Sequence, residues 1–183
     1  MSNVGQRERV TQDRVVRLFQ DHLGYDYLGN LEYENNNRNI DARILKSWLQ
    51  AQSVSDALIT RALRVLDQAA ALGDGKNLYD ANKAVYRLLR YGVKVKEGAG
   101  EQNQTVWLID WENPDNNGFA IAEEVTIQGE HKKRPDIVLY LNGFAVGVLV
   151  LNRASVSIGD CIRQLISNLK PDFNQHFFST VQF

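Results

Sequence analysis

Arg134-Pro-Asp136 leads into the apolar run Ile137–Leu141, a turn at Asn142-Gly143 and a second apolar run, Ala145–Leu151. An aspartate entering a strand directly after a proline, ahead of a hairpin, presents its carboxylate at the rim of a sheet. Such a carboxylate is a hard oxygen ligand of the kind Mg²⁺ takes. Metal-assisted phosphodiester hydrolysis asks for more: a second carboxylate for the metal and a lysine to orient the attacking water, both on the adjacent strand. On that strand stand Val150 and Asn152. A strand-start aspartate that only caps a turn is the competing account of Asp136, and residue types alone leave both open.

Other residues could contribute charge. Lys132, Lys133 and Arg134 follow His131 in a basic run just before Asp136. Such a run is either a solvated loop or a phosphate-contacting segment. Lys83, Arg87 and Arg90 fall at i, i+4 and i+7, a second basic stripe. Glu123 and Glu124 precede Asp136 on a strand, where alternation puts one inward and one outward. A solvated acidic pair is the simpler account, and one of them facing the Asp136 site is the other. Asp41 opens a helix, where the helix dipole explains it. His22, His131 and His176 are scattered around a single cysteine, Cys161, so no zinc pattern arises. Gly73-Asp-Gly-Lys76 lacks the spacing of a phosphate loop, which argues against an ATP site within the chain.

The elements that must position these groups change period halfway. Apolar residues recur at helical spacing over Thr11–Leu23, Ile40–Gln50, Ser55 to Gly73 and Asp80 to Arg90. The expected inward sets include Leu18 and Leu23, then Leu45 and Leu49, then Leu58, Ala62 and Leu66, then Val85 and Leu89. Asn39 and Ser55 are the expected caps of the second and third helices, and Gly92 the stop of the fourth. The second half holds short runs rich in Val, Ile and aromatics at Thr105–Trp111, Phe119–Gln128, Ile137–Leu141 and Ala145–Leu151. A helix from Ser157 to Leu169, with Ile162 and Ile166 inward, and a strand over Phe177–Phe183 complete the pattern. The expectation is a mixed α/β fold in one domain, 1–183, with a mainly helical part (1–92) and a mixed-sheet part (93–183).

Charge and composition narrow the function. There are 21 Lys+Arg against 22 Asp+Glu, a net charge of −1, so any nucleic-acid contact must be local rather than a global basic excess. No apolar run approaches the ~18 residues that cross a bilayer, and the N-terminus is polar, so neither a span nor a signal peptide is expected. One cysteine points to a reducing compartment, the cytoplasm. Ending on a strand-like segment suggests a fragment of a longer chain.

The chain closely resembles the N-terminal region of the R subunit of type I restriction endonucleases. The resemblance rests on Gly5-Gln-Arg-Glu-Arg9, Gly24-Tyr-Asp-Tyr-Leu-Gly29, Asn36-Asn-Arg-Asn-Ile40, Tyr79-Asp-Ala-Asn-Lys83, Gly98-Ala-Gly-Glu101, Arg134-Pro-Asp136 and Phe177-Phe-Ser-Thr-Val181, in order along the chain. It implies a helical N-terminal part followed by a PD-(D/E)xK, restriction-endonuclease-like mixed β-sheet flanked by helices. It also implies Mg²⁺-dependent DNA cleavage in defence against foreign DNA, with an ATP-dependent translocase downstream of this chain. DNA and the modification and specificity subunits are the implied partners, with no membrane role. By the same resemblance Asp136 is the motif aspartate and metal ligand. Gln164, with Asn168 one turn later, is the glutamine that the family keeps near the active site. The family's Glu and Lys are replaced by Val150 and Asn152. With one carboxylate left, Mg²⁺ binding should be weak or absent and DNA cleavage lost or nearly so. The alternative is a non-catalytic module that docks the motor or methylase core or binds DNA.

Strand parity adds a test. A two-residue turn at Asn142-Gly143 pairs Leu141 with Phe144 and, counting on, Asp136 with Leu149. Val150 and Asn152 would then face away from Asp136. The family arrangement needs an odd loop, with Gly143 in three residues, or a bulge at Gly147, so that Asp136, Val150 and Asn152 share one face.

Overall fold

The computed structural model describes residues 3–34, 37–73, 75–127, 134–151, 157, 159–160, 162–163, 166 and 175–183. Helix α1 (Asn3–Arg17) turns its Val15 and Val16 toward the sheet and runs into a π-helical turn over Leu18–His22. That wider turn shifts the helical phase. Leu18 and Leu23, expected inward, are therefore exposed, while Phe19 packs edge-on to Tyr25. Strand β1 (Asp26–Asn30) follows; its short, glycine-bearing sequence carries no strand signal.

Helices α2 (Ala42–Ala51), α3 (Asp56–Ala70) and α4 (Leu78–Tyr91) form the helical layer. The cap of α2 is Asp41, whose side chain accepts from the backbone N–H of Arg43 and Ile44. Asn39, the expected cap, is instead buried, with Nδ2 donating to the His176 carbonyl and to Ser179 Oγ. Ser55 caps α3, Asn77 caps α4, and Gly92 ends α4 at a positive φ of 72°. The inward stripes read from spacing do meet: Leu45, Leu49, Ile59, Ala62, Leu66, Val85 and Leu89 are buried in one cluster.

Two sheets complete the α/β fold. The smaller pairs β2 (Val93–Val95) with β3 (Gln104–Val106), antiparallel. The larger has the order β1-β4-β5-β6, with β4 (Phe119–Glu123), β5 (Ile137–Leu141) and β6 (Phe144–Leu149) antiparallel and β1 added parallel to β4. The run expected at Thr105–Trp111 shortens to β3 ahead of side-chain-bonded turns built by Asp110 and Asn117, and that at Phe119–Gln128 shortens to β4 where Glu124 takes a φ of 51°. Phe177–Phe183 is not a strand. Its start lies in a 3-10 turn, Gln175–Ser179, closed by Ser179 Oγ donating to the His176 carbonyl; only Gln182 and Phe183 run beside β6, bonded to Val146 and Val148. Of the segment 157–169, Gly159, Asp160, Ile162, Arg163 and Ile166 are described as helical. Ile162 and Ile166, expected inward, are exposed there.

The β5–β6 hairpin sets the site's geometry. Asn142 and Gly143 have φ of 49° and 90°, the paired positive values of a tight hairpin turn. Buried Asn142 locks it, with Nδ2 donating to the Leu108 carbonyl and Asn117 Oδ1 and its own Oδ1 accepting from Gly118. Leu141 pairs with Phe144 and Tyr140 with Ala145, but Leu139 pairs with Gly147, so Val146 is a bulge. Ile137 consequently faces Leu149.

Candidate active site

The ladder ends with Ile137 opposite Leu149, and counting one residue on would set Asp136 opposite Val150. Leu149 stands opposite Ile137, not opposite Asp136. The bulge lies at Val146 rather than Gly147, and it supplies the odd residue that a two-residue turn lacks. Asp136 is bound at both ends. Its Oδ2 accepts from the Leu151 N–H at 2.6 Å, which ties the start of β5 to the end of β6. Its carbonyl accepts from the Glu124 N–H at 3.0 Å and from Gln12 Nε2 at 3.3 Å. Gln12, nearly buried on α1, thus anchors the first helix over the mouth of the hairpin. A polar residue four before buried Val16, on an otherwise apolar stripe, was the available sequence signal for it.

Glu123 and Glu124 are not a solvated pair. Glu123 ends β4 opposite Ile137 and is 2% exposed. Tyr27 on β1 donates its hydroxyl to Glu123 Oε2, and Arg9 on α1 lies 3.5 Å from Oε1, which has no hydrogen-bond partner. Arg9 is also paired to Asp13 at 3.0 Å. Burial, then the bond and charge of Glu123, push the Tyr27 hydroxyl up to about 12. Glu124 leaves the alternation because its φ is 51°, and its carboxylate receives Arg134 Nε at 2.7 Å. Arg134 Nη1 pairs with Glu32 as well. Of the expected basic run, Arg134 is therefore committed to two carboxylates. Asn152, Gln164, Lys132, Lys133, His131 and Asn168 lie outside the described residues.

Among the described residues no three His, Cys, Asp or Glu side chains converge in a metal-holding group. What the rim does bring together is a fixed carboxylate, a backbone amide that orients it, and a valine across from it.

The family model described as type I restriction enzyme R protein N terminus matches residues 5–183. Two proteins of Methanocaldococcus jannaschii are similar. One, named for the MjaIXP type I restriction enzyme endonuclease subunit, is 27% identical over 139 residues, 69% of this chain and 13% of that protein. The other, named for the MjaVIIP type I restriction enzyme endonuclease subunit, is 35% identical over 98 residues, 52% of this chain and 9% of that protein. The chain thus spans only a small part of the length of these relatives. With a family model covering nearly all of its length, the chain belongs to the type I restriction enzyme R protein N-terminal family.

Proposed function

We propose that this chain is the nuclease-fold module of a type I restriction R subunit, of the PD-(D/E)xK kind, in which the hydrolytic centre has been lost. The observation that carries the proposal is the register of the bulged hairpin, which pairs Ile137 with Leu149 and, counted one residue on, sets Asp136 against Val150. The register supports equivalence with the family's aspartate and glutamate positions, and the second of these is a hydrocarbon. One Asp136 oxygen is already engaged by the Leu151 amide. Valine offers no ligand, and asparagine at 152 carries no charge to polarise a water. That donor set does not fit Mg²⁺, which is held through carboxylates with its remaining positions on water or substrate oxygen. In this reading DNA, the specificity and modification subunits and an ATP-driven motor elsewhere in the parent protein remain the partners, and the module contributes docking or DNA contact in the cytoplasm.

The test restores the missing pair. Parent and Val150→Glu/Asn152→Lys chains are compared for Mn²⁺ binding by calorimetry, and for DNA cleavage with Mg²⁺ in the assembled enzyme. The double variant is expected to gain both metal uptake and cleavage, with at least a hundredfold rise in rate (about 2.7 kcal/mol). Equal cleavage by both proteins would sink the proposal.

A further inference from the structure

Helix α4 carries a surface that the rim site does not use. At 3.6 residues per turn, Tyr79, Lys83, Tyr86 and Arg90 fall within about 60° of one another, with Arg87 on the flank. From Tyr79 to Arg90 this stripe runs about 16 Å. Tyr79 is 69% and Tyr86 50% exposed, and Lys83, Arg87 and Arg90 are all exposed. The cations alternate with rings: Lys83 Nζ sits 5.6 Å from the Tyr79 centroid, and Arg90 lies 5.2 Å from that of Trp111. Trp111 is 47% exposed yet held in place by its Nε1 donating to the Leu89 carbonyl at 2.9 Å. Beyond Arg90 the surface sinks into an apolar cleft of about 350 Å³, whose wall includes Tyr25, Tyr86, Trp111 and Phe119.

The charges on this stripe are available where that of Arg134 is not. Among the described residues no carboxylate pairs with Lys83, Arg87 or Arg90, whereas Arg134 is neutralised by Glu32 and Glu124. A cationic helix face needs no exposed rings to bind duplex DNA, whose base faces are hidden in the stack. Rings interleaved with cations fit a strand that offers a phosphate and a free π-face at each nucleotide.

We propose that the α4 stripe and its adjoining cleft bind single-stranded nucleic acid. Lys83, Arg87 and Arg90 would engage phosphates, while bases stack on Tyr86 and Trp111. The proposal rests on reading the chain as a DNA-handling module, but it requires no metal and no cleavage. Its failure is therefore separable from failure of the rim repair.

The experiment is fluorescence anisotropy of labelled oligo-dT and of a mixed-sequence duplex of the same length, about 20 nucleotides, with the 183-residue chain in chelator. The single strand is expected to bind more tightly than the duplex. Lys83→Gln/Arg87→Gln should weaken it tenfold or more and lower the log-affinity against log-salt slope by about 1.4. Tyr86→Ala should weaken it by roughly 5- to 100-fold. Tyr86→Phe, which keeps the ring, and Arg134→Gln, which removes only a neutralised charge, should stay close to the parent. No binding of the single strand, preference for duplex, or parent-like affinity in both the cation and Tyr86→Ala variants overturns the proposal.

Discussion

Glu123 is a carboxylate almost without water, and two unlike partners make that tolerable. Tyr27 donates a hydrogen bond to one oxygen, and Arg9 supplies charge near the other. Removing one donor leaves a buried ionised acceptor short of a partner, which typically costs about 1–3 kcal/mol. Tyr27→Phe is expected to destabilise the fold by that amount at neutral pH, read from urea unfolding. The same pair predicts a pH dependence. The Tyr27 hydroxyl titrates at about 12 when folded, against 10.0 ordinarily, so the folded state holds its proton longer than the unfolded chain. That contribution is complete below the unfolded value and is lost as pH climbs from 10.0 toward about 12. In Tyr27→Phe the alkaline fall in stability should shrink. It should not vanish, because burial raises Tyr25 and Tyr140 in the same direction. A parent and variant with identical alkaline slopes would contradict the assignment. None of this cluster is visible in sequence, since Arg9, Tyr27 and Glu123 come from three elements joined only by the parallel β1–β4 pairing and the lie of α1.

The β5–β6 hairpin is the element on which the site depends, and its turn is fixed by sterics as well as by type. A Cβ on Gly143 would come within 2.7 Å of the Asp41 carbonyl and 3.1 Å of the Leu45 nitrogen, so the turn is pressed against the start of α2. Gly24 has a comparable positive φ of 70° but open space around it. Gly24→Ala should therefore cost only the left-handed penalty, about 1–2 kcal/mol. Gly143→Ala adds overpacking to that penalty and should cost roughly 3 kcal/mol or more in total. Chemical denaturation of the two variants checks the ranking, and equal costs would refute the close approach. This turn was legible: Asn-Gly between apolar runs announces a hairpin. A bulge at Gly147 was one expectation, but its actual place was not legible, because Val146 is an apolar residue among apolar residues and nothing in its type marks an extra position. Asp136 and its partner could thus be named from motif, while the register that puts Val150 across from it needed coordinates. The caps divide similarly. Ser55 caps its helix as expected, but Asn39 donates instead to His176 and Ser179 in tertiary bonds, and Asp41 caps α2 in its place.

At the scale of the whole molecule, charge and core are both distributed in ways that composition conceals. A net charge of −1 coexists with a cationic stripe on α4 that no carboxylate pairs among the described residues, because acids such as Glu32, Glu123 and Glu124 are spent on internal pairs. The core likewise ignores the change of period near residue 92. Phe144 and Val146 of β6 are buried in the same cluster as Leu45, Leu66 and Val85 of the helices, and Ile40 bridges to Phe144. Further along the same face of the sheet, Ile121 and Ile137 meet Val16 of α1 in a separate cluster joined to the first through the strands. Such continuity predicts one cooperative transition rather than two. Ile121 and Leu66 are both fully buried but sit in different clusters, and truncating either to Ala should cost about 2–5 kcal/mol. Trp48 lies on α2 and Trp111 donates to the Leu89 carbonyl of α4, so tryptophan fluorescence reports the helices. If the molecule unfolds as one unit, Ile121→Ala must shift the tryptophan transition as fully as Leu66→Ala does, and the far-UV circular dichroism midpoint must move with it. A tryptophan midpoint indifferent to Ile121→Ala would mean that the helical part stands alone. Phe144 would then have to be credited to the helical part, not to the hairpin that carries it.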